Sequence, residues 1–374
     1  MEYSPNKITI DLSALVYNLN QVKGLIGPHT RIMGIVKSEA YGHGLVKVAQ
    51  VLENNGVYSL GVAHLHEALE LRESGTKLPI VLLCGIKPRK EEAREAAEKD
   101  LTVVVYDIME AELLNREAAE KGEKINIHLK IDTGMGRLGV HHSETGAFIE
   151  KIRGLSGLNL EALMSHLSSA DDPDREFTEE QIRNFKKAVD IGHAMGLDLP
   201  LNNLANSAGI MAHKDSHFNM VRPGIMLYGG SPSPGFDLPL PLKPVMTLKG
   251  EVLQVRDLPD QTPVSYGRRY YTKGPKRMAV VSAGYGDGIP RSLSKNGKVL
   301  LAGERVNITG TICMNMLICD VTGVDTVRPG DEAVFLGPQG DEIITGDEIA
   351  GWTDTISYEI FLSIGQRGNR NYIQ

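Results

Sequence analysis

Between residues 11 and 240, short β-rich runs alternate with amphipathic helical stretches, and this rhythm points to parallel strands joined by crossover helices. Strands are expected at Arg31 to Lys37, Val57 to Ala63, Leu78 to Leu83, Thr102 to Tyr106, Ile125 to Asp132, Leu158 to Ser165, Leu199 to Ala205 and Phe218 to Tyr228. Eight strand-plus-helix units in roughly 230 residues match a TIM-type (β/α)8 barrel, typically about 250 residues long. A doubly wound open sheet is the alternative. No GxGxxG turn follows a candidate strand, which favours the closed barrel.

The first helix places Leu12, Leu15, Leu19, Val22 and Ile26 on one stripe, with Asp11 and Ser13 as cap candidates. A later helix is expected to open with the capping-box pattern Thr178-Glu179-Glu180-Gln181 and to bury Ile182, Phe185 and Val189. The Pro- and Gly-rich linker SPSPGFDLPLPLKP at 231–244 ends the rhythm, and alternating strands follow. The expected division is an α/β barrel at 11–240 and a mainly β C-terminal domain at 241–374, joined by an N-terminal strand within 1–10.

Lysines and arginines number 40 against 47 acidic residues, a net charge of −7, without basic clusters. That balance argues against nucleic acid as a partner. The start shows no basic segment followed by an apolar one, and no run approaches the ~20 apolar residues of a membrane span, so a cytoplasmic location without membrane association is expected. Three cysteines, Cys84, Cys313 and Cys319, with no CxxC or Cys/His cluster, fit a reducing compartment and suggest no metal site.

Catalytic groups of such a barrel sit where its strands end, and several polar groups here obey that rule. Lys37 follows the apolar run Ile32 to Val36 in GIVKSEAYGHG, where partial desolvation would lower its pKa and suit Schiff-base chemistry. Lys130 and Arg137 flank the end of strand five in HLKIDTGMGRLGV, and His166 closes strand six. An arginine there could hold a carboxylate bidentately. Asn206 and Ser207 precede a short helix and Arg222 to Ile225 end strand eight, the usual phosphate position of this barrel. Each has an ordinary reading in isolation: a snorkelling lysine, an Arg137 paired with Asp132, a satisfied core histidine.

Taken together, VKSEAYGHG, HLKIDTGMGRLGV, MSHLSSADD, ANSAG, FNMVRPGIMLYG, VSYG, GYGDG, ICMN and SYEIFLSIGQR make the chain resemble the bacterial alanine racemases, which depend on pyridoxal 5'-phosphate, over essentially its whole length. The resemblance implies that Lys37 carries the cofactor while Tyr41, Ser207, Gly224, Ile225 and Tyr358 hold its phosphate. Arg222 would face the pyridine nitrogen, with His166 linking it to Tyr266. Arg137 and the backbone of Met314 would position the substrate carboxylate, and Lys130 is a position that some members carry carbamylated. Lys37 and Tyr266 would be the two bases, the lysine towards D-alanine and the tyrosine towards L-alanine, supplying D-alanine for cell-wall synthesis. The resemblance further implies a homodimer in which Tyr266, Tyr285, Met314 and Asn315 serve the partner's Lys37.

Two departures stand out. Where the family usually has Arg-[IV]-Cys-Met-Asp, this chain has Thr311 to Asn315, and the tail GQRGNRNY loses a proline while keeping Arg367 and Arg370. A serine or broad-substrate racemase of the same family is therefore an alternative. A cofactor carrier resembling the barrel alone would lack the second domain. A decarboxylase would be expected to place an acid where Arg222 stands.

Overall fold

The structure, a computed structural model, describes residues 6–374. Its first unit runs β1 (Lys7–Asp11), α1 (Leu12–Leu25), β2 (Arg31–Ile35), α2 (Lys37–Tyr41), α3 (Leu45–Asn54), β3 (Ser59–Val62), α4 (Leu65–Glu73), β4 (Ile80–Leu82), α5 (Lys90–Glu98), β5 (Leu101–Val105), α6 (Ile108–Lys121), β6 (Ile125–Asp132), β7 (Val140–His141), α7 (Thr145–Arg153), β8 (Leu158–Met164), α8 (Glu176–Ala194), α9 (Ser207–Ala212) and β9 (Met220–Val221). Parallel pairing proceeds from β9 through β2, β3, β4, β5 and β6 to β8. Asn203 closes the ring by bridging Met164 and Met220. The barrel is closed, with strands at the positions that the alternation of runs indicates.

Two of the expected strands are much shorter than the sequence suggests. In Leu199 to Ala205 only Asn203 bridges its neighbours, because asparagine side chains compete for ladder partners. Asn202 Oδ1 accepts the Leu163 N–H at 2.8 Å, and Asn203 Nδ2 donates to the Leu201 carbonyl at 2.8 Å. The run from Phe218 to Tyr228 pairs only over Met220–Val221. Pro223 has no N–H for a ladder, and Ile225–Tyr228 coils into a 3-10 turn.

Asp11 caps α1 as expected, accepting the Ala14 N–H at 3.0 Å. The expectation for α8 needs correction. It begins at Glu176 with no side-chain cap, and Thr178 and Gln181 are buried inside it. Gln181 turns towards the barrel, accepting the Ser168 N–H and donating to the His166 carbonyl at 3.1 Å, so tertiary bonds outcompete the local box. Phe185 and Val189 are buried, whereas Ile182 is only half-buried.

The second unit contains β10 (Met246–Leu258), β11 (Pro263–Val264), β12 (Tyr270–Tyr271), β13 (Lys276–Ser282), β14 (Lys298–Leu301), β15 (Glu304–Ile308), β16 (Met316–Asp320), β17 (Glu332–Gln339), β18 (Glu342–Ile344), α10 (Gly346–Thr353), α11 (Ser357–Gly365) and β19 (Arg370–Ile373). Antiparallel pairing returns from β17 to β10, so this sheet also closes. Although it comes first in the chain, β1 pairs β10 antiparallel and β19 parallel, so Lys7–Asp11 belongs to the second unit's sheet; residues 1–5 of that expected strand lie outside the described residues.

The most unusual backbone lies directly after Lys37. Ser38, Glu39, Ala40 and Tyr41 all take φ values between 50° and 57°, a left-handed turn of non-glycine residues. Such a conformation costs roughly 1–2 kcal/mol per residue. Elements from both units hold it: Arg370 of β19 pairs with Glu39 at 3.1 Å and donates Nε–H to the Gly42 carbonyl at 2.8 Å. Gly42, at φ 85°, ends the turn against α11, where a Cβ would sit 2.4 Å from the Phe361 carbonyl oxygen. Gly42→Ala should therefore destabilise the protein by about 2–3 kcal/mol in urea unfolding; unchanged stability would show that the turn relaxes freely.

Candidate active site

A cavity of about 400 Å³ opens where the barrel strands end. Lys37 enters it from the end of β2, Lys130 from β6, Arg137 from the glycine-rich loop after β6, and His166 from the end of β8. Ser207 opens α9, while Arg222, Gly224 and Ile225 follow β9. Tyr41 reaches in from the left-handed turn and Tyr358 from α11 of the second unit.

One end is built from hydroxyls and backbone donors. Ser207 Oγ accepts the Gly224 N–H at 3.0 Å and the Met226 N–H at 3.4 Å, tying α9 to the loop after β9. A Cβ on Gly224 would lie 2.5 Å from the Tyr41 hydroxyl oxygen, so glycine lets that phenol approach. Tyr41 stacks on the buried Tyr228 at 4.8 Å and meets Tyr358 at 5.7 Å. Burial pushes the Tyr41 and Tyr358 phenols upward, which keeps both as protonated donors.

Cations crowd the remaining wall. Arg222 is buried and donates to Asn203 Oδ1, to the Ser165 carbonyl at 2.6 Å and to the Leu204 carbonyl at 3.1 Å. Burial, then the neighbouring Arg137, bring its guanidinium down to about 9, which leaves it charged at neutral pH. Its Nη2 also meets His166 Nδ1 at 3.2 Å. Arginine only donates, so Nδ1 accepts and the His166 proton sits on Nε2. Burial first, then the charges of Arg222, Lys130, Arg137 and Lys37, hold this imidazole well below its usual range, and it is neutral.

Desolvation also lowers the amines of Lys37 and Lys130, the latter strongly, with Arg137 and Arg222 adding to both. Asp132 does not pair with Arg137. Its carboxylate accepts the N–H groups of Gly134, Met135 and Gly136 at 2.9 to 3.2 Å, and Arg137 has no ion pair among the described residues. The guanidinium is left to face the cavity.

Tyr266 and Met314 do not line this cavity. Tyr266 is 70% exposed and Met314 57% exposed on the surface of the second unit. Their loops are tied together: the Thr311 hydroxyl donates to the Tyr266 carbonyl at 3.0 Å and the Gly286 N–H to the Met314 carbonyl at 2.7 Å. Cys84, at the end of the fourth strand, lines the cavity beside Lys37, and the only signal in the sequence was its place after LL at a strand end. Among the described residues, no group of histidine, cysteine and acidic side chains could hold a metal, and no helix is long and apolar enough to cross a membrane.

Residues 10–232 match the family model "Alanine racemase, N-terminal domain" and residues 245–372 match "Alanine racemase, C-terminal domain". The chain is 40% identical over 365 residues to the alanine racemase of Syntrophobacter fumaroxidans, covering 98% of this chain and 96% of that protein. Its fold superposes on the alanine racemase of Clostridium difficile 630 with a TM-score of 0.91 at 35% identity, covering 100% of this chain and 97% of that one. A third similar protein, alanine racemase from Bartonella henselae with covalently bound pyridoxal phosphate, gives a TM-score of 0.88 at 31% identity, covering 98% and 99%.

In an NMR titration, His166 should protonate only well below the ordinary histidine range, leaving the ring neutral at neutral pH. The fold then favours the neutral ring, so this group's share of stability is present above roughly pH 6.5 and declines as pH falls below it. A midpoint at the ordinary histidine value would contradict the burial and cationic surroundings as the cause of its neutrality.

Proposed function

The chain belongs to the alanine racemase family, and from that premise we propose that it interconverts L-alanine and D-alanine at the Lys37 cavity, with pyridoxal 5'-phosphate held there. The observation that carries this reading is the pairing of a desolvated lysine with a cradle of hydroxyls and backbone donors inside one cavity. The donor set suits a phosphate: the hydroxyls of Tyr41, Ser207 and Tyr358 and the backbone at Gly224 and Ile225 surround one end. When bound, the cofactor supplies an electron-accepting ring that makes the proton on the substrate α-carbon removable.

Lys37 holds and moves a proton on one face of that carbon. Burial lowers its amine, which increases the share of neutral base near neutral pH. Arg137, free of Asp132, receives the substrate carboxylate. Arg222, held in plane by Asn203 and His166, would offer the cofactor's ring nitrogen a donor that keeps its proton. Lys130, pushed towards the neutral amine, has the chemistry needed to take up carbon dioxide as a carbamate, an anion able to orient Arg137.

Racemisation needs a second base on the opposite face, and Tyr266, the family's candidate for it, does not line the cavity of its own chain. Tyr266, with the backbone of Met314, stands on a surface that also exposes Tyr285 and Met316. A homodimer in which this surface covers the partner's cavity completes the site. The neutral Asn315 is exposed on the same surface with Thr311 buried in the same loop, and both bear on substrate breadth, alanine against serine or larger amino acids. Three unpaired cysteines suit a reducing compartment such as the cytoplasm.

Mixing an inactive Lys37→Ala chain with an inactive Tyr266→Phe chain should restore up to about a quarter of wild-type racemisation under random subunit exchange. Verified mixed dimers without recovered activity would show that the site is not shared. In protein equilibrated with carbon-13 bicarbonate, a carbamate resonance should appear and be absent from Lys130→Ala; its absence from wild type would remove the proposed anion.

A further inference from the structure

Glu67 belongs to α4, a helix that gives no side chain to the cavity wall, and its carboxylate is buried. One oxygen accepts the N–H groups of Ala63 at 2.7 Å and His64 at 3.1 Å, closing the start of its own helix. Its other oxygen does something capping alone does not require: it crosses to the neighbouring βα loop and accepts the N–H of Ser38. That amide follows Lys37 directly and opens the left-handed turn. Arg370 and Glu39 hold the far side of the turn, so Glu67 is the anchor on the lysine's side.

We propose that Glu67 is a positioning residue for Lys37, fastening the peptide that carries the lysine through the Ser38 amide. The inference rests on Lys37 being the amine that takes the cofactor. The groups facing that amine are Cys84, Arg137, Glu67 and Arg222, with Lys130 and His166 in the same cavity. Burial and the two arginines favour the neutral amine; Cys84 and Glu67 oppose them. Removing the Glu67 charge therefore shifts the amine further towards its neutral, attacking form. Removing the reach of its carboxylate frees the Ser38 amide and lets the turn relax.

Two variants separate charge from reach. Glu67→Gln keeps the volume, loses the charge and, because its NH2 cannot accept, gives up one of the two sets of N–H bonds. Glu67→Asp keeps the charge and the local cap but falls short of Ser38. The attachment midpoint reads the charge and cofactor retention reads the reach. Full-length protein stripped of pyridoxal phosphate would be given it back across a pH series, following its visible absorption band, with Lys37→Ala as the control. Attachment requires the neutral amine, so Glu67→Gln should move the attachment midpoint down by roughly one pH unit or less. Glu67→Asp should leave the midpoint in place and weaken cofactor retention roughly tenfold through the released amide. A Glu67→Gln midpoint equal to wild type would overturn the proposal even if thermal stability falls, since a purely structural glutamate would behave so. Wild-type retention in Glu67→Asp would overturn the positioning role. If the band forms equally in Lys37→Ala, the reading of Lys37 itself fails, and the role of Glu67 with it.

Discussion

Lys37, Lys130, Arg137 and Arg222 converge on one cavity whose lining contains no carboxylate. Four basic groups drawn out of water and towards each other are costly, and the cost appears as lowered proton affinity at both lysines and at Arg222. The proposed phosphate at one end and substrate carboxylate near Arg137 would answer that imbalance with the right sign. His166 is neutral first because it is buried, and then because a fifth cation beside these four would add to the repulsion. The site is thus arranged for anions before any ligand arrives.

Holding those cations requires a rigid frame, and the frame is drawn from both units. The lysine is carried by a left-handed turn that its own sequence does not favour; Glu67 from α4, Arg370 from β19 and the Gly42 contact with Phe361 keep it in place. β1 and β19 join the β unit's sheet, and Tyr358 from α11 returns to the cavity. Both units therefore contribute hydroxyls to the cavity, while Tyr266 and Met314 are exposed and do not line it. Buried Thr311 ties its hydroxyl to the Tyr266 carbonyl, so the neutral residue there is part of the loop that presents the phenol.

Much of this was legible in the sequence because it depends on period and local chemistry. Alternating runs located the barrel strands, Asp11 marked the first helix, and polar groups at strand ends marked the cavity. What was not legible depended on partners distant in sequence. Ser-Glu-Ala-Tyr carries no sign of left-handed backbone, since that conformation is imposed by contacts from Glu67 and from residues more than three hundred positions away. Gln181 looked like a capping partner until the His166 loop claimed it. Asn202 and Asn203 broke the expected seventh strand, the first by taking the Leu163 N–H with its side chain and the second by donating back to the Leu201 carbonyl. Family resemblance supplied roles for Tyr266 and Met314 that spacing alone did not.

The measurement closest to the central claim is to reduce the fully active, cofactor-loaded enzyme with borohydride and locate the fixed group by peptide mass spectrometry. The account predicts a pyridoxyl group on Lys37 and loss of alanine racemisation in proportion to its formation. Active, cofactor-loaded enzyme in which Lys37 stays unmodified would contradict it.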